Sequence, residues 1–258
     1  MLTDNFGRLV NYLRLSVTDR CDFRCVYCMA EDMQFVPRQQ LLTIEEMAQI
    51  ARVFVNLGVK KIRITGGEPL IRRNIIALFQ QLGRLDGLDE LTLTSNGSQL
   101  RAYARQLVNA GVGRINISLD SLNAKGFRSL TRTGELAKVL DGIEAALEAG
   151  LKVKLNSVIL KHRNGDEVLD LVAFALNKQM DISFIEEMPL GVISEHQRNR
   201  EFISSESLRA LINQHYSLQA CQDNKATGGP SRYWQVRNYS SKIGFISPHS
   251  DNFCGSCN

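Results

Sequence analysis

Three cysteines lie close together near the amino terminus, at Cys21, Cys25 and Cys28, in the spacing C-x3-C-x2-C. Cysteine thiolates hold iron–sulfur clusters, and a cubane cluster has four irons to be ligated. Three thiolates leave one iron without a protein ligand, and an open coordination position is what a metal centre needs to bind and activate a small molecule. The loop therefore predicts a reactive cluster rather than a closed electron-transfer centre.

Two other interpretations of this cysteine loop compete with an iron–sulfur cluster. A structural zinc site usually takes four protein ligands, often in C-x2-C pairs. No histidine or fourth cysteine lies near this loop. Three ordinary buried cysteines would not need to crowd together directly after a strand-like run. Both interpretations explain the spacing less well than an iron–sulfur cluster does.

A second stretch that could do chemistry is I-T-G-G-E-P at residues 64–69, where a strand-like run ends. Two glycines let a backbone approach a ligand closely, with its carbonyls and amides free to bond it. Active sites of β/α barrels lie at this end of the strands. A plain turn is the alternative, but the motif follows the cysteine loop by one strand. Together the two stretches predict one ligand site.

Strand-like and helix-like segments alternate from residue 12 onward, which is typical of a parallel sheet with helical crossovers. The predicted strands are 12–18, 61–65, 89–94, 114–118, 152–159 and 181–186. The predicted helices are 43–57, 73–84, 98–110, 135–149 and 165–177. This α/β pattern predicts a partial (βα)6 TIM-like barrel over residues 1–189. Residues 190–258, with a helix at 205–213 and strands at 232–238 and 242–247, are predicted to form a C-terminal α+β appendage.

In five predicted strands every second residue is polar, although a packed barrel interior should be apolar. The polar sets are Arg14, Ser16 and Thr18; Arg63 and Thr65; Thr92 and Thr94; Asn116 and Ser118; and Lys152, Lys154 and Asn156. Because neighbouring side chains point to opposite faces of a strand, and the apolar set must face the helices, the polar set is predicted to line the interior. A solvated sheet face is the alternative, but helices cover both faces of most parallel sheets. A cationic interior suits an anionic, hydrogen-bonding ligand such as a nucleotide.

The cysteine spacing, with Tyr27 directly before the last cysteine, and the later G-G-E-P resemble the radical S-adenosylmethionine (SAM) superfamily. Finer motifs resemble its GTP 3′,8-cyclase family, of molybdenum cofactor biosynthesis, over essentially the whole chain. They are R-L-S-V-T-D-R-C-D-F-R-C-V-Y-C-M, K-I-R-I-T-G-G-E-P-L, L-T-S-N-G, I-N-I-S-L-D-S, V-K-L-N-S-V and F-C-G-S-C-N. The resemblance implies that Cys21, Cys25 and Cys28 hold a [4Fe–4S] cluster, with SAM on the fourth iron. A 5′-deoxyadenosyl radical would then abstract the 3′ hydrogen of GTP, and 3′,8-cyclo-7,8-dihydro-GTP would form.

The resemblance also implies roles for individual residues. Positions that contact SAM in the family are matched by Tyr27, Gly67, Ser118 and Met188. Positions that contact GTP are matched by Arg14, Arg63, Thr94 and Lys154. These last four are among the residues that strand parity directs into the interior, so two independent arguments agree on them.

The family carries a second [4Fe–4S] cluster near its C-terminus, held by C-x2-C and a third cysteine further along, and its open iron binds guanine. Cys254 and Cys257 match the first two ligands, and the sequence stops at Asn258. The ligand set is therefore expected to be incomplete, in a fragment or a C-terminally truncated form. Cys221 is interpreted as an incidental thiol rather than as a substitute ligand.

Composition narrows the class of protein further. Hydrophobic residues make up 44% and charged residues 22%, which is ordinary for a globular protein. No apolar run approaches the roughly 20 residues that span a bilayer, and the first residues do not resemble a targeting segment. A cytoplasmic location without membrane contact is expected. The net charge of +4 is too small to indicate nucleic-acid binding.

The expected partners follow from the resemblance: GTP as the substrate, an electron donor such as a flavodoxin or ferredoxin, a downstream cyclic pyranopterin monophosphate synthase, and a second copy of the chain in a homodimer.

Two alternatives stay open, a radical SAM enzyme with two clusters acting on a peptide or tetrapyrrole, and a form that binds SAM and GTP without turnover. An electron carrier is disfavoured by the three-thiolate loop. No chemistry is assigned to the four histidines, while Glu186 and Glu187 either border the cofactor or lie at a solvated strand end.

Overall fold

The computed structural model of the chain describes residues 2–30, 32–188, 193, 196–221 and 229–251. The described strands are β1 Tyr12–Ser16, β2 Lys61–Thr65, β3 Glu90–Ser95, β4 Val112–Ser118, β5 Lys152–Val158, β6 Asp181–Ile185, β7 Leu218–Ala220, β8 Arg232–Val236 and β9 Lys242–Ile246. The described α-helices are α1 Ile44–Asn56, α2 Ile75–Leu82, α3 Leu100–Asn109, α4 Ala124–Thr131, α5 Leu136–Glu148, α6 Val168–Asn177, α7 Arg198–Glu201 and α8 Ser205–Asn213.

All nine of these strands join one sheet, in the order β1-β2-β3-β4-β5-β6-β9-β8-β7. Strands β1 to β6 pair in parallel in sequence order, and β9 pairs in parallel with β6. Strands β8 and β7 then add antiparallel to β9. The predicted partial β/α barrel with a C-terminal appendage is confirmed. The predicted boundary at residue 189 lies outside the described residues and stays a prediction, because the sheet runs on through β9.

The apolar parity of the strands builds the core, as the alternation predicts. Ile62, Ile64, Leu93, Ile115 and Leu155 are fully buried and pack in the cluster that includes the apolar faces of the helices. Burying each such side chain contributes about 1.5–3 kcal/mol relative to leaving it exposed. The polar side chains, which alternate with these apolar ones, therefore point toward the interior of the barrel.

Helix ends follow local sequence signals, but the periodicity missed helix α4. Thr43 and Glu46 form a capping box at the start of α1, which the sequence T-I-E-E predicts. Helix α4 was not predicted, because it is short and contains Gly126 and other weak helix formers. Its start is fixed instead by Asn123, whose side chain accepts hydrogen bonds from the N–H groups of Lys125 and Gly126.

Several segments differ modestly from the predicted bounds, and strand β7 and the four-residue helix α7 were not predicted. Strand β1 ends at Ser16 rather than at residue 18, and a 3₁₀ turn, Gly165–Glu167, replaces the start of the helix predicted over 165–177. Within the part of the chain that the structure describes, every helix is too short or too polar to cross a membrane.

Candidate functional site

The cysteine loop follows β1 at the carboxyl end of the sheet. Cys21 and Cys25 are half-buried, Cys28 is exposed, and all three are free thiols. The N–H of Cys28 donates to the carbonyl of Cys25 at 3.0 Å, which closes a turn between the last two cysteines. The end of α4 supports the loop, because the N–H groups of Arg24 and Val26 donate to carbonyls in that helix at 2.9 Å. The three sulfurs are thus carried by a loop with a fixed backbone.

Burial dominates the acid–base behaviour of the three thiols. It raises the pKa of Cys21 to about 11 and raises that of Cys25 well above its ordinary value. Burial and then the carboxylate of Asp120 raise the pKa of Cys28 as well. As free thiols the three groups are therefore protonated at neutral pH, and binding of iron must release protons.

The donor set fits an iron–sulfur cluster better than a single ion. In the part of the chain that the structure describes, no three His, Cys, Asp or Glu side chains are arranged around one metal ion. The three free thiols of the loop are the soft ligands that iron–sulfur clusters take. The N–H of Phe23 points to the Sγ of Cys21 at 3.4 Å, and the Nδ2 of Asn96 points to it at 3.7 Å. Such hydrogen bonds to sulfur are among the groups by which proteins tune clusters.

The G-G-E-P turn after β2 packs directly on the cysteine loop. The N–H of Gly67 donates to the carbonyl of Thr18 at 2.7 Å, and the N–H of Glu68 donates to the carbonyl of Arg20 at 2.8 Å. A Cβ atom at Gly66 would lie 2.5 Å from the oxygen of Thr18, and one at Gly67 would lie 2.2 Å from that of Arg20. The amide of Gly67 is therefore bonded within the protein rather than free for a ligand, and the two glycines let two backbone segments meet.

Glu68 connects this turn to the loop after β3. Its fully buried carboxylate accepts hydrogen bonds from the N–H of Leu70 at 3.0 Å, the Oγ of Ser95 at 3.0 Å and the N–H of Asn96 at 2.6 Å. Burial raises the pKa of Glu68 to about 7, although these bonds oppose the shift. A single carboxyl group therefore organises the ends of two strands.

Asp22 performs the same task inside the cysteine loop. Its carboxylate accepts from the Nδ2 of Asn96 and from the Oγ of Ser98, both at 2.6 Å. The loops after β1, β2 and β3 thus form one hydrogen-bonded unit through Asp22 and Glu68. Neither Asp22 nor Asn96 was assigned a role from the sequence, where the motif L-T-S-N-G was the only signal for this network.

The four residues expected to contact SAM lie at the carboxyl ends of strands or in the cysteine loop. Tyr27 donates from its phenol to Asp120 at 2.6 Å, and the N–H of Val158 donates to the other oxygen of Asp120 at 2.8 Å. Burial raises the pKa of Asp120 to about 6. Ser118 is the last residue of β4. Gly67 follows β2, and Met188, which is 41% exposed, follows β6.

The residues expected to contact GTP differ in burial. Lys154 is buried, Arg63 and Thr94 are half-buried, and Arg14 is exposed. Arg14 is opposite Arg63 in the register of β1 and β2, but β1 has a neighbour on one side only within the described sheet. The Nε of Arg63 donates to the Oγ1 of Thr92 at 3.3 Å. The four share a face of the sheet without forming one cluster of direct contacts.

Several buried polar atoms on this interior face have no hydrogen-bond partner among the described residues. They are Thr94 Oγ1, Arg114 Nε, Asn116 Oδ1 and Asn156 Oδ1. Buried polar groups in native proteins are nearly always paired with protein, water or a ligand. The interior face therefore presents both donors and acceptors to whatever fills it.

Two interior cations were not singled out from the sequence. Arg114 of β4 lies 3.2 Å from Glu90, and Lys61 of β2 lies 2.7 Å from the same carboxylate. Arg114 has the parity of Asn116, and Lys61 has that of Arg63, so the alternation that identified the interior could also have found them.

Glu186 and Glu187 support the backbone after β6. Glu186 accepts from the N–H of Ser205 at 2.7 Å and from the N–H of Ser250 at 2.9 Å. Glu187 is buried against His196 at 2.8 Å. Both carboxylates are buried and bonded to protein, so the option of a solvated strand end is wrong. A place beside the cofactor stays a prediction.

The remaining three cysteines lie in the C-terminal part of the chain. Cys254 and Cys257 lie outside the described residues. Cys221 is half-buried, and its N–H donates to the carbonyl of Tyr233 at 3.0 Å, which continues the pairing of β7 with β8.

Comparison with protein families and solved structures supports the class of protein that this architecture indicates. The radical SAM superfamily model matches residues 15–175, and the model Molybdenum Cofactor Synthesis C matches residues 180–258. SuiB of Streptococcus suis bound to S-adenosylmethionine has a TM-score of 0.67 at 18% identity, covering 91% of this chain and 50% of that chain. Methylornithine synthase (PylB) has a TM-score of 0.61 at 14% identity, covering 78% and 61%. Fold and cysteine loop together define a radical SAM protein.

Curated relatives narrow the family within this class. The GTP 3′,8-cyclase of Saccharophagus degradans is 59% identical over 258 residues, covering all of this chain and 77% of that protein. The GTP 3′,8-cyclase of Pseudomonas entomophila is 58% identical over 259 residues, with the same shares covered. The chain belongs to the GTP 3′,8-cyclase family.

Proposed function

We propose that this chain converts GTP to 3′,8-cyclo-7,8-dihydro-GTP in molybdenum cofactor biosynthesis. The observation that carries the proposal is a cationic, partly unpartnered interior face beneath a loop of three free cysteines, in a chain whose relatives are named for that reaction. The cations suit a triphosphate, and the unpartnered oxygens and the arginine N–H suit a purine and a ribose.

Cys21, Cys25 and Cys28 would hold a [4Fe–4S] cluster, and SAM would bind at its open iron. When bound, the cluster and SAM supply an electron and a carbon-centred radical. The chain's own contribution there is orientation. Asp22 and Glu68 fix the loops through hydrogen bonds of 2.6–3.0 Å. The four residues that would border SAM are Tyr27, Gly67, Ser118 and Met188.

Four residues of the interior face would hold GTP, namely Arg14, Arg63, Thr94 and Lys154. Lys154 and Arg63 carry charge in a buried setting, where electrostatic attraction is stronger than in water. Arg14 is exposed, so its attraction for the triphosphate is weakened by solvent. Enclosing the ribose in this face also excludes water from the reacting carbon.

The C-terminal part of the chain and several partner molecules would take part in the same reaction. Residues 1–189 would form the barrel and residues 190–258 the appendage, in which Cys254 and Cys257 would supply thiolates to a second [4Fe–4S] cluster near the guanine. A flavodoxin or ferredoxin would deliver the electron, and a cyclic pyranopterin monophosphate synthase would consume the product. A homodimer in the cytoplasm completes the proposal.

Cleavage of SAM with and without GTP tests the proposal. The chain is purified without oxygen, reconstituted with iron and sulfide, and given reductant and SAM, and 5′-deoxyadenosine is measured. We expect GTP to stimulate cleavage strongly, while ATP and an unrelated peptide do not. Cleavage that is indifferent to GTP, or that responds to a peptide instead, would contradict GTP as the substrate. Binding of GTP without any cleavage would identify a form that binds but does not turn over.

A further inference from the structure

Lys154 has a specific partner that comes from the C-terminal part of the chain. Its Nζ donates to the phenol oxygen of Tyr233 at 2.6 Å. Lys154 is 6% exposed and Tyr233 is 9% exposed. Lys154 belongs to β5 and Tyr233 to β8, and these strands are separated in the sheet by β6 and β9. The tyrosine therefore reaches back across two strands to meet the ammonium.

A glycine makes this reach possible. Gly244 of β9 pairs with Ser183 on one side and with Tyr233 on the other. A Cβ atom at Gly244 would lie 2.2 Å from the Oγ of Ser231, 2.3 Å from the Oγ of Ser183 and 3.0 Å from Cε1 of Tyr233. The two serines bond each other at 2.9 Å in the same space. Any side chain at Gly244 would displace the ring or the serine pair.

The ammonium of Lys154 needs such a partner. Burial lowers the pKa of Lys154, and the cations Arg63 and Arg114 lower it further, whereas Tyr233 raises it. Burial would raise the pKa of Tyr233, but the Lys154 ammonium, together with hydrogen bonding to Ser231 and the charge of Arg114, lowers that pKa overall. Asp181 is opposite Lys154 in the register, and its carboxylate accepts from the N–H of Lys242 at 2.7 Å.

We propose that Tyr233 is a positioning residue for the substrate, because its phenol oxygen fixes the Lys154 ammonium in the interior where it can bind the triphosphate. A strand from the C-terminal part thus sets the affinity of a site whose cations come from the barrel. This inference rests on the proposed function, and it concerns a residue that acts through Lys154 rather than on the reacting atoms.

Nucleotide binding to the Tyr233→Phe variant tests this role. Phenylalanine keeps the ring beside Gly244 and removes only the hydroxyl. The dissociation constants of GTP and guanosine are measured without oxygen on the reconstituted chain. We expect GTP to bind about tenfold more weakly, the loss expected for a hydrogen bond to a charged group, and guanosine to bind as before. Trp234→Phe is the matched control on the same strand and should leave both constants unchanged.

A double-mutant cycle separates positioning from a general effect on the fold. Lys154→Met should weaken GTP binding, and adding Tyr233→Phe to it should cause no further loss, because the partner is already gone.

GTP binding by the wild-type chain should fall at alkaline pH as Lys154 loses its proton. In Tyr233→Phe this fall should move to lower pH, since the group that raises the pKa of Lys154 is absent.

Specific results would overturn the inference. Unchanged or tighter GTP binding by Tyr233→Phe, or an additive loss in the double variant, would remove Tyr233 from the site while leaving GTP binding intact. A wild-type chain that binds no GTP would instead contradict the proposed function as well.

Discussion

The loops at the carboxyl ends of the strands and the interior face below them are both polar, but their polar groups differ in their hydrogen-bond partners. In the loops, carboxylates are bonded to protein: the buried Glu68 accepts three hydrogen bonds, and the half-buried Asp22 accepts from the side chains of Asn96 and Ser98. On the interior face, Thr94, Asn116 and Asn156 each keep a buried oxygen without a partner among the described residues. The loops are built to hold their own shape, whereas the interior face is built to receive another molecule.

Replacing any one cysteine of the loop gives the largest expected effect. Cys21→Ser, Cys25→Ser or Cys28→Ser should abolish 5′-deoxyadenosine formation and lower the iron content, because the cluster loses one of three thiolates. Cys221→Ser is the control and should keep both. Normal turnover in any of the three loop variants would refute the cluster assignment.

Breaking the loop network should cost stability rather than binding specificity. Glu68→Ala leaves the buried N–H groups of Leu70 and Asn96 without their acceptor, so we expect the free energy of unfolding to fall by about 3 kcal/mol. Glu135→Ala removes only an exposed ion pair with Lys138 and should cost at most about 1 kcal/mol. Urea denaturation measures both, and equal losses would show that the network adds nothing.

The same carboxyl group predicts a pH dependence of stability. Its pKa rises from 4.5 to about 7 on folding, so the folded state binds the proton more tightly than the unfolded state. The free energy of unfolding should therefore fall as pH rises from about 4 to about 7, by about 3 kcal/mol in total at this site. Glu68→Gln does not titrate and should lose this part of the pH dependence. A wild-type profile that falls no more steeply than that of Glu68→Gln across this window would contradict the assignment.

Charges on the interior face should affect GTP binding in proportion to their burial. Lys154→Ala should weaken GTP binding by about tenfold, and Arg14→Ala by a few-fold only, because solvent screens an exposed charge. Both variants should keep the iron content of the wild-type chain. Unchanged GTP affinity in both would show that the interior face does not bind the nucleotide.

The sequence predicted the barrel and the polar interior because period-two alternation is a local signal that each strand carries by itself. The same rule could have included Arg114 and Lys61. It did not reveal the partners of Glu68 or Asp22, since these depend on three loops that meet only in the folded chain. The meeting of Tyr233 with Lys154 was equally hidden, because it requires the pairing of β9 with β6.

The order of pairing has a consequence for synthesis of the chain. Strand β9 pairs with β6, although β7 and β8 lie between them in sequence. At roughly 5–20 residues per second, the edge of β6 emerges from the ribosome several seconds before residues 242–246. During that interval an apolar strand offers unpaired backbone groups to neighbouring nascent chains. We therefore expect chaperones to bind the exposed edge of β6 while the chain is still being made.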